Sequence, residues 1–118
     1  MRFCGLRIVV FPVSPRTWVA RALEHDLAAE GRSIESAIDT VLKIALAHIA
    51  YDRRHGREPL SAFAAAPALY WTAFKAGTPL PIPAEAFWSD EGRLAEGSVS
   101  VMSKHPAVPE FILASRSA

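Results

Sequence analysis

Three side chains near the middle of the chain have the types and spacing of a metal site. His48, Asp52 and His55 stand at i, i+4 and i+7, so on a helix they fall within about 60° of one another. Two imidazoles and a carboxylate on one helical face could hold a divalent cation. A plainer account competes with this one. The same positions continue the apolar line through Ala45 and Ile49, and a helix that outruns its sheet ends in polar side chains that meet loop or solvent. Short polar patterns match motifs often by chance, so the plainer account is preferred and no metal or other cofactor is expected.

The remaining reactive residues assemble no catalytic site. Glu24-His25-Asp26 reads as a polar break beside a strand. Acid–base chemistry would need a matched partner within hydrogen-bond reach, and no spacing identifies one. Cys4 is the single cysteine; it can form no internal disulfide and no zinc site by itself, and it is expected to be inert. The six glycines are scattered and build no phosphate-cradling loop. With no nucleophile, base and orienting group in one place, the chain is expected to be no enzyme.

The aromatic residues say more. Tyr70, Trp71 and Phe74 cluster on one short segment, Phe87 and Trp88 follow a proline run, and Trp18 stands in the first half. They form either a second hydrophobic cluster under the C-terminal segment or a partner-binding surface, since Trp and Tyr are enriched at interfaces. In the second case these six residues are the candidate contact set, and the chain is expected to form a dimer or higher homo-oligomer.

The elements that must carry these side chains can be read in order. Leu6 to Phe11 is rich in β-branched residues and predicts a strand, with Leu6, Ile8 and Val10 on one face and Arg7, Val9 and Phe11 on the other. Pro12 to Arg16 breaks it. Thr17 to Leu23 predicts the second arm of a hairpin, and Leu27 to Glu30 a short third strand ended by Gly31. Ser33 is a good helix N-cap. From there Ile34, Ala37, Ile38, Val41, Leu42, Ala45 and Ile49 keep 3-4 spacing, which predicts one long amphipathic helix ending near Gly56. Its apolar stripe must lie on the sheet, because neither layer can bury its own face alone.

Beyond Gly56 the pattern is weaker. Pro67 suits the first position of a short helix over Ala68 to Ala76, stopped by Gly77. Thr78 to Pro83 alternates proline with other residues and should be extended or polyproline-like. Ser98 to Met102 and Glu110 to Ala114 alternate in strand fashion.

Bulk properties narrow the function classes. The chain has 118 residues, one domain's worth, with 51% hydrophobic and 21% charged residues, an ordinary globular balance. A net charge of +1 offers no basic excess for phosphates, which argues against nucleic-acid binding by this chain alone. No apolar run approaches the ~18 residues of a membrane span. The opening residues lack the apolar run of a signal peptide. Together with the lone cysteine this fits a cytoplasmic location.

The run from Leu6 to about Tyr51 resembles HicB-like antitoxin domains. Trp18 to Asp26 stands in the second strand and turn of that family. Leu27 to Ala37 stands in its third strand and helix start, and Gly31, Ser33 and Ala37 match its Gly-x-[Ser/Thr]-x-x-x-Ala pattern. The match covers somewhat under half of the chain. The resemblance implies a truncated RNase H-type sheet without catalytic carboxylates, and a role in neutralising a small mRNA-cleaving toxin. Many members carry a DNA-binding module after this domain; residues 57–118 show neither a helix-turn-helix nor a ribbon-helix-helix pattern.

The expectation is therefore an α+β domain: a β-β-β-α antiparallel core over residues 1–56, one long helix on one face, and an extension over residues 57–118 packed on the same domain. Its function is expected to be non-enzymatic protein binding, directed at a small toxin-like protein. Two alternatives remain open. One is a stand-alone homo-oligomer built on the aromatic segment; the other is a small metal-dependent enzyme using His48, Asp52 and His55.

Overall fold

The computed structural model describes residues 6–81, 88–89, 92–93 and 97–106. The expected strand over Glu110 to Ala114 lies outside the described residues, as do Cys4 and Phe87. Among the described residues seven strands and two helices follow one another as β1 (Leu6–Ser14), β2 (Thr17–Ala22), β3 (Leu27–Gly31), α1 (Ile34–Arg54), α2 (Ala68–Ala76), β4 (Thr78–Leu80), β5 (Trp88–Ser89), β6 (Gly92–Arg93) and β7 (Gly97–Val101). The class is α+β.

Five strands form one sheet in the order β3-β2-β1-β7-β4, and β5 and β6 pair as a separate small ribbon. The first three strands are antiparallel, with Val10 opposite Ala20 and Ala20 opposite Ala29. The wholly antiparallel sheet expected from them needs correction. β7 lies parallel to β1, with Ile8 opposite Val99, and β4 returns antiparallel along β7. The physical reason is the second edge of β1. The hairpin satisfies only one of its two rows of backbone groups, and a buried central strand must pair both. That partner comes from a distant, weakly patterned stretch.

A second correction concerns the helices. The expected long helix is α1, but it does not cover the sheet alone: the short helix expected over Ala68 to Ala76 lies on the other face. Leu6, Ile8 and Val10 point into a cluster with Ala37, Ile38, Val41, Leu42, Ala45 and Ile49 of α1. Val9 and Phe11 point the other way, into a cluster with Leu23, Ala66 and Ala73, edged by Tyr70, Trp71 and Phe74. Strand alternation thus gives β1 two apolar faces, and a strand apolar on both faces needs a layer on each.

Local sequence explains the element ends. The Ser33 hydroxyl accepts a 3.0 Å hydrogen bond from the Ser36 amide and caps α1. Gly31 sits where a Cβ would run into the Ala37 amide and come within 2.8 Å of Ser36 Oγ. The strand passes hard against the first turn of the helix there, which leaves no room for a side chain. At the other end Gly56 has φ +67, the left-handed conformation glycine adopts without steric cost.

β1 runs past Pro12, where the sequence predicted a break, and its register shifts between Pro12 and Ser14. The proline removes no ladder bond. Residues pointing away from β2 face β7, and the β1–β7 ladder stops at Val10 opposite Val101. Pro67 is the N-cap of α2, one position earlier than expected. The proline-alternating segment enters the sheet as the edge strand β4, a place where proline is tolerated.

Candidate functional site

His48, Asp52 and His55 do not converge. The Asp52 carboxylate is buried and accepts a 2.8 Å hydrogen bond from the Leu60 amide. Leu60 is fully buried with φ +62, a conformation that costs a bulky side chain energy. Asp52 is therefore the post that holds the turn after α1, and its own carbonyl accepts from the amides of His55 and Arg57. His48 meets the Phe63 ring edge-on at 4.9 Å. His55 stacks on Tyr51 at 4.1 Å, and its Nδ1 donates to the Tyr51 carbonyl at 2.9 Å. Among the described residues no group of three His, Cys, Asp or Glu side chains is placed to hold a metal ion.

The polar break between β2 and β3 is also structural. Glu24 takes the Arg7 amide at 2.7 Å on one oxygen and the Arg7 guanidinium at 3.1 Å on the other. Arg21 Nε and Asp26 Oδ1 lie 3.1 Å apart, an ion pair whose atoms are not aligned for a hydrogen bond.

The aromatic candidates divide. Tyr70, Trp71 and Phe74 are half-buried against Val9, Phe11 and Leu23. Tyr70 stacks with Phe11 at 5.9 Å and carries the Arg21 guanidinium over its ring at 4.2 Å. Trp71 donates its indole N–H to the Ala66 carbonyl at 3.1 Å, with Arg7 over its face at 5.5 Å. The Ala66 amide in turn donates to the Leu23 carbonyl at 2.8 Å. So α2 is tied to the end of β2, and these rings serve the chain's own second core. The Trp88 backbone pairs with Arg93 in the small ribbon.

Trp18 belongs elsewhere. Its side of β2 faces α1, where it packs at the rim of the first cluster. There, with Ile34 of α1, Leu80 and Pro79 of β4, Val101 of β7, and Thr78, Met102 and Ser103, it lines an open groove of about 430 Å³. The groove exists because α1 lies over β3 and β2, reaches β1, and leaves β7 and β4 to one side. None of its eight lining residues titrates near neutral pH. It can therefore take apolar side chains, with the Trp18, Thr78 and Ser103 polar atoms as orienting handles, and it offers no acid, base or nucleophile couple.

Sequence reasoning named Trp18 as a candidate contact residue but not the residues that line the groove with it. Val101 and Leu80 were legible only as strand and proline-run residues, because their meeting depends on the parallel entry of β7. It also passed over His105, whose ring meets Phe11 edge-on at 4.8 Å on the α2 face. Burial, and then the nearby Arg21 charge, hold its pKa below the ordinary 6.5. No described helix is long and apolar enough to cross a membrane. Comparison with protein-family models, curated proteins and solved structures found no match.

Proposed function

We propose that this chain is a non-enzymatic protein-binding domain of the HicB antitoxin type, which holds a small partner protein at the groove beside Trp18. What chiefly supports the reading is that groove: an apolar opening on the sheet, lined by parts of β2, α1, β4 and β7, with no titrating side chain in it. The strand order agrees with the resemblance carried by Gly31, Ser33 and Ala37. Three antiparallel strands, a helix, and a later strand laid parallel to the first support reading the sheet as the RNase H type that the resemblance implies. An interface made of Tyr70, Trp71 and Phe74 is the weaker reading, since those rings already pack against Val9, Phe11 and Leu23.

The test is a search beside the gene for a toxin-sized reading frame and co-expression with the protein it encodes; a gene with no such neighbour would count against the reading. The wild-type chain should relieve growth arrest caused by that protein. Leu80→Arg, which puts a charge into the groove from an edge strand, should abolish the relief while leaving the far-UV circular dichroism unchanged. Failure of the wild-type chain to relieve arrest, or full relief by Leu80→Arg, would sink the proposal.

A further inference from the structure

The two edges of the five-stranded sheet are protected very differently. On one side β4 carries Pro79, with Pro81 just beyond it, so its outer row lacks donors. On the other side β3 reads Leu27-Ala28-Ala29-Glu30-Gly31, with no proline and no lysine, and among the described residues nothing pairs with its outer row.

The outward groups on β3 can be identified. The Leu23 amide donates to the Arg7 carbonyl at 2.8 Å, so that opposed pair is hydrogen-bonded. Antiparallel alternation then makes Val9–Arg21 and Phe11–Val19 the next such pairs, and turns the backbone groups of Trp18, Ala20 and Ala22 toward β3. The Met102 amide, which donates to the Val10 carbonyl from the β7 side, fits the same phase. Their partners Gly31, Ala29 and Leu27 therefore point inward, and the amides and carbonyls of Ala28 and Glu30 point outward.

We infer that β3 is a self-association edge, and that two copies of this chain join by antiparallel pairing of β3 with β3 about a twofold axis at Ala29. This register sets Ala28 opposite Glu30 of the second copy, and Glu30 opposite its Ala28. All four outward groups on each strand are then used, in two hydrogen-bonded pairs. No two like charges face each other. The side chains of Ala28 and Glu30 are exposed, on the face of the sheet that also bears Arg21. Across the junction the second copy's Glu30 falls in line with Ala28 and Arg21, with only a methyl group between the charges. At the strand ends the register brings Arg32 of one copy level with Asp26 of the other, opposite in charge. A closed, isologous contact of this kind is the commonest form of assembly among soluble proteins. It uses a different strand from the groove beside Trp18, so either proposal can fail without the other.

Sedimentation of the full chain at micromolar concentration decides the matter. The wild type should be a dimer. Glu30→Pro removes one outward donor and no internal ladder bond, and should give a folded monomer. Glu30→Lys keeps the donor but places a cation in line with Arg21, and should weaken the dimer by about tenfold or more. A wild-type monomer, or a dimer that both substitutions leave intact, would overturn the inference. If Glu30→Pro fails to fold, Glu30→Lys still decides.

Discussion

The two faces of the sheet are covered by different chemistry. On the α1 face the contact is aliphatic and closed: Ile8, Val10, Val41, Ala45 and Ile49 are each at most 1% exposed. On the α2 face, among the described residues, Val9, Phe11, Leu23, Ala66 and Ala73 are buried together with the polar Ser100, while the rings of Tyr70, Trp71 and Phe74 stay half-exposed, the first two under Arg21 and Arg7. The first face is held by area removed from water. The second adds rings and cations whose energy depends on charge state and on precise placement. The difference teaches that a β-β-β-α unit can carry its main core on one helix, while its other face needs a later segment to close it. Perturbations should therefore be severe on the first face, intermediate at the turn that leads from one face to the other, and conditional on the second.

The largest effect should come from Val41→Asp. Val41 is 1% exposed against the sheet, and an unpaired carboxylate there has no partner to offset its desolvation. A loss of more than about 3 kcal/mol is expected by urea denaturation. Lys43→Ala, two residues on, is the control. Lys43 and its i,i+4 partner Asp39, 2.9 Å away, are both solvent-exposed, so the change should stay within about 0.5 kcal/mol. Equal midpoints for the two variants would break the account of the α1 face.

These two residues also show how much the sequence could say. The stripe from Ile34 to Ile49 predicts the buried positions of α1 because period and burial coincide there. The alternation in Leu6 to Phe11 likewise predicts which residues face the helix. The same alternation already implied an apolar second face, through Val9 and Phe11, but could not say what covers it. That depends on α2, whose nine residues are apolar nearly all round and so declare no face. The parallel entry of β7 beside β1 was illegible for a related reason. Gly97 to Val101 has the period of a strand but nothing in it names a partner, and the pairing spans most of the chain. The groove beside Trp18 is made by that pairing and could not be read before it. His48, Asp52 and His55 were legible as helix-end residues, while their separate partners, Phe63, Leu60 and Tyr51, come from tertiary contact and local stacking.

Asp52 tests the link between the two faces. Its carboxylate is the acceptor for the Leu60 amide, and Leu60 is a core residue held with φ +62. Asp52→Ala leaves a buried donor unpaired and relaxes the hold on a strained residue, and should cost about 1–3 kcal/mol. Asp52→Asn retains an acceptor oxygen and should recover most of the loss. Should the asparagine variant be as unstable as alanine, the bond to Leu60 would not be what keeps the turn.

The smallest effect is a dependence on pH confined to the α2 face. His105 lies edge-on to Phe11, and its pKa in the folded chain is lowered, first by burial and then by the charge of Arg21. A depressed histidine pKa means that the unfolded chain takes up the proton first. Above pH 6.5 the imidazole is neutral in both states and the fold carries no penalty. As pH falls below that value the unfolded chain is protonated preferentially, and stability declines until the folded-state pKa is passed, where the loss levels off. The thermal midpoint of the wild type should therefore fall as pH is lowered through this window. His105→Gln should remove that part of the decline, since glutamine does not titrate. Arg21→Gln should shrink it without removing it, because burial is the larger cause. It also releases Asp26 and uncovers the Tyr70 ring, so the variant must be compared by its slope against pH rather than by its absolute stability. An unchanged slope in His105→Gln would place the pH sensitivity on another group and leave the α2 face insensitive to this histidine.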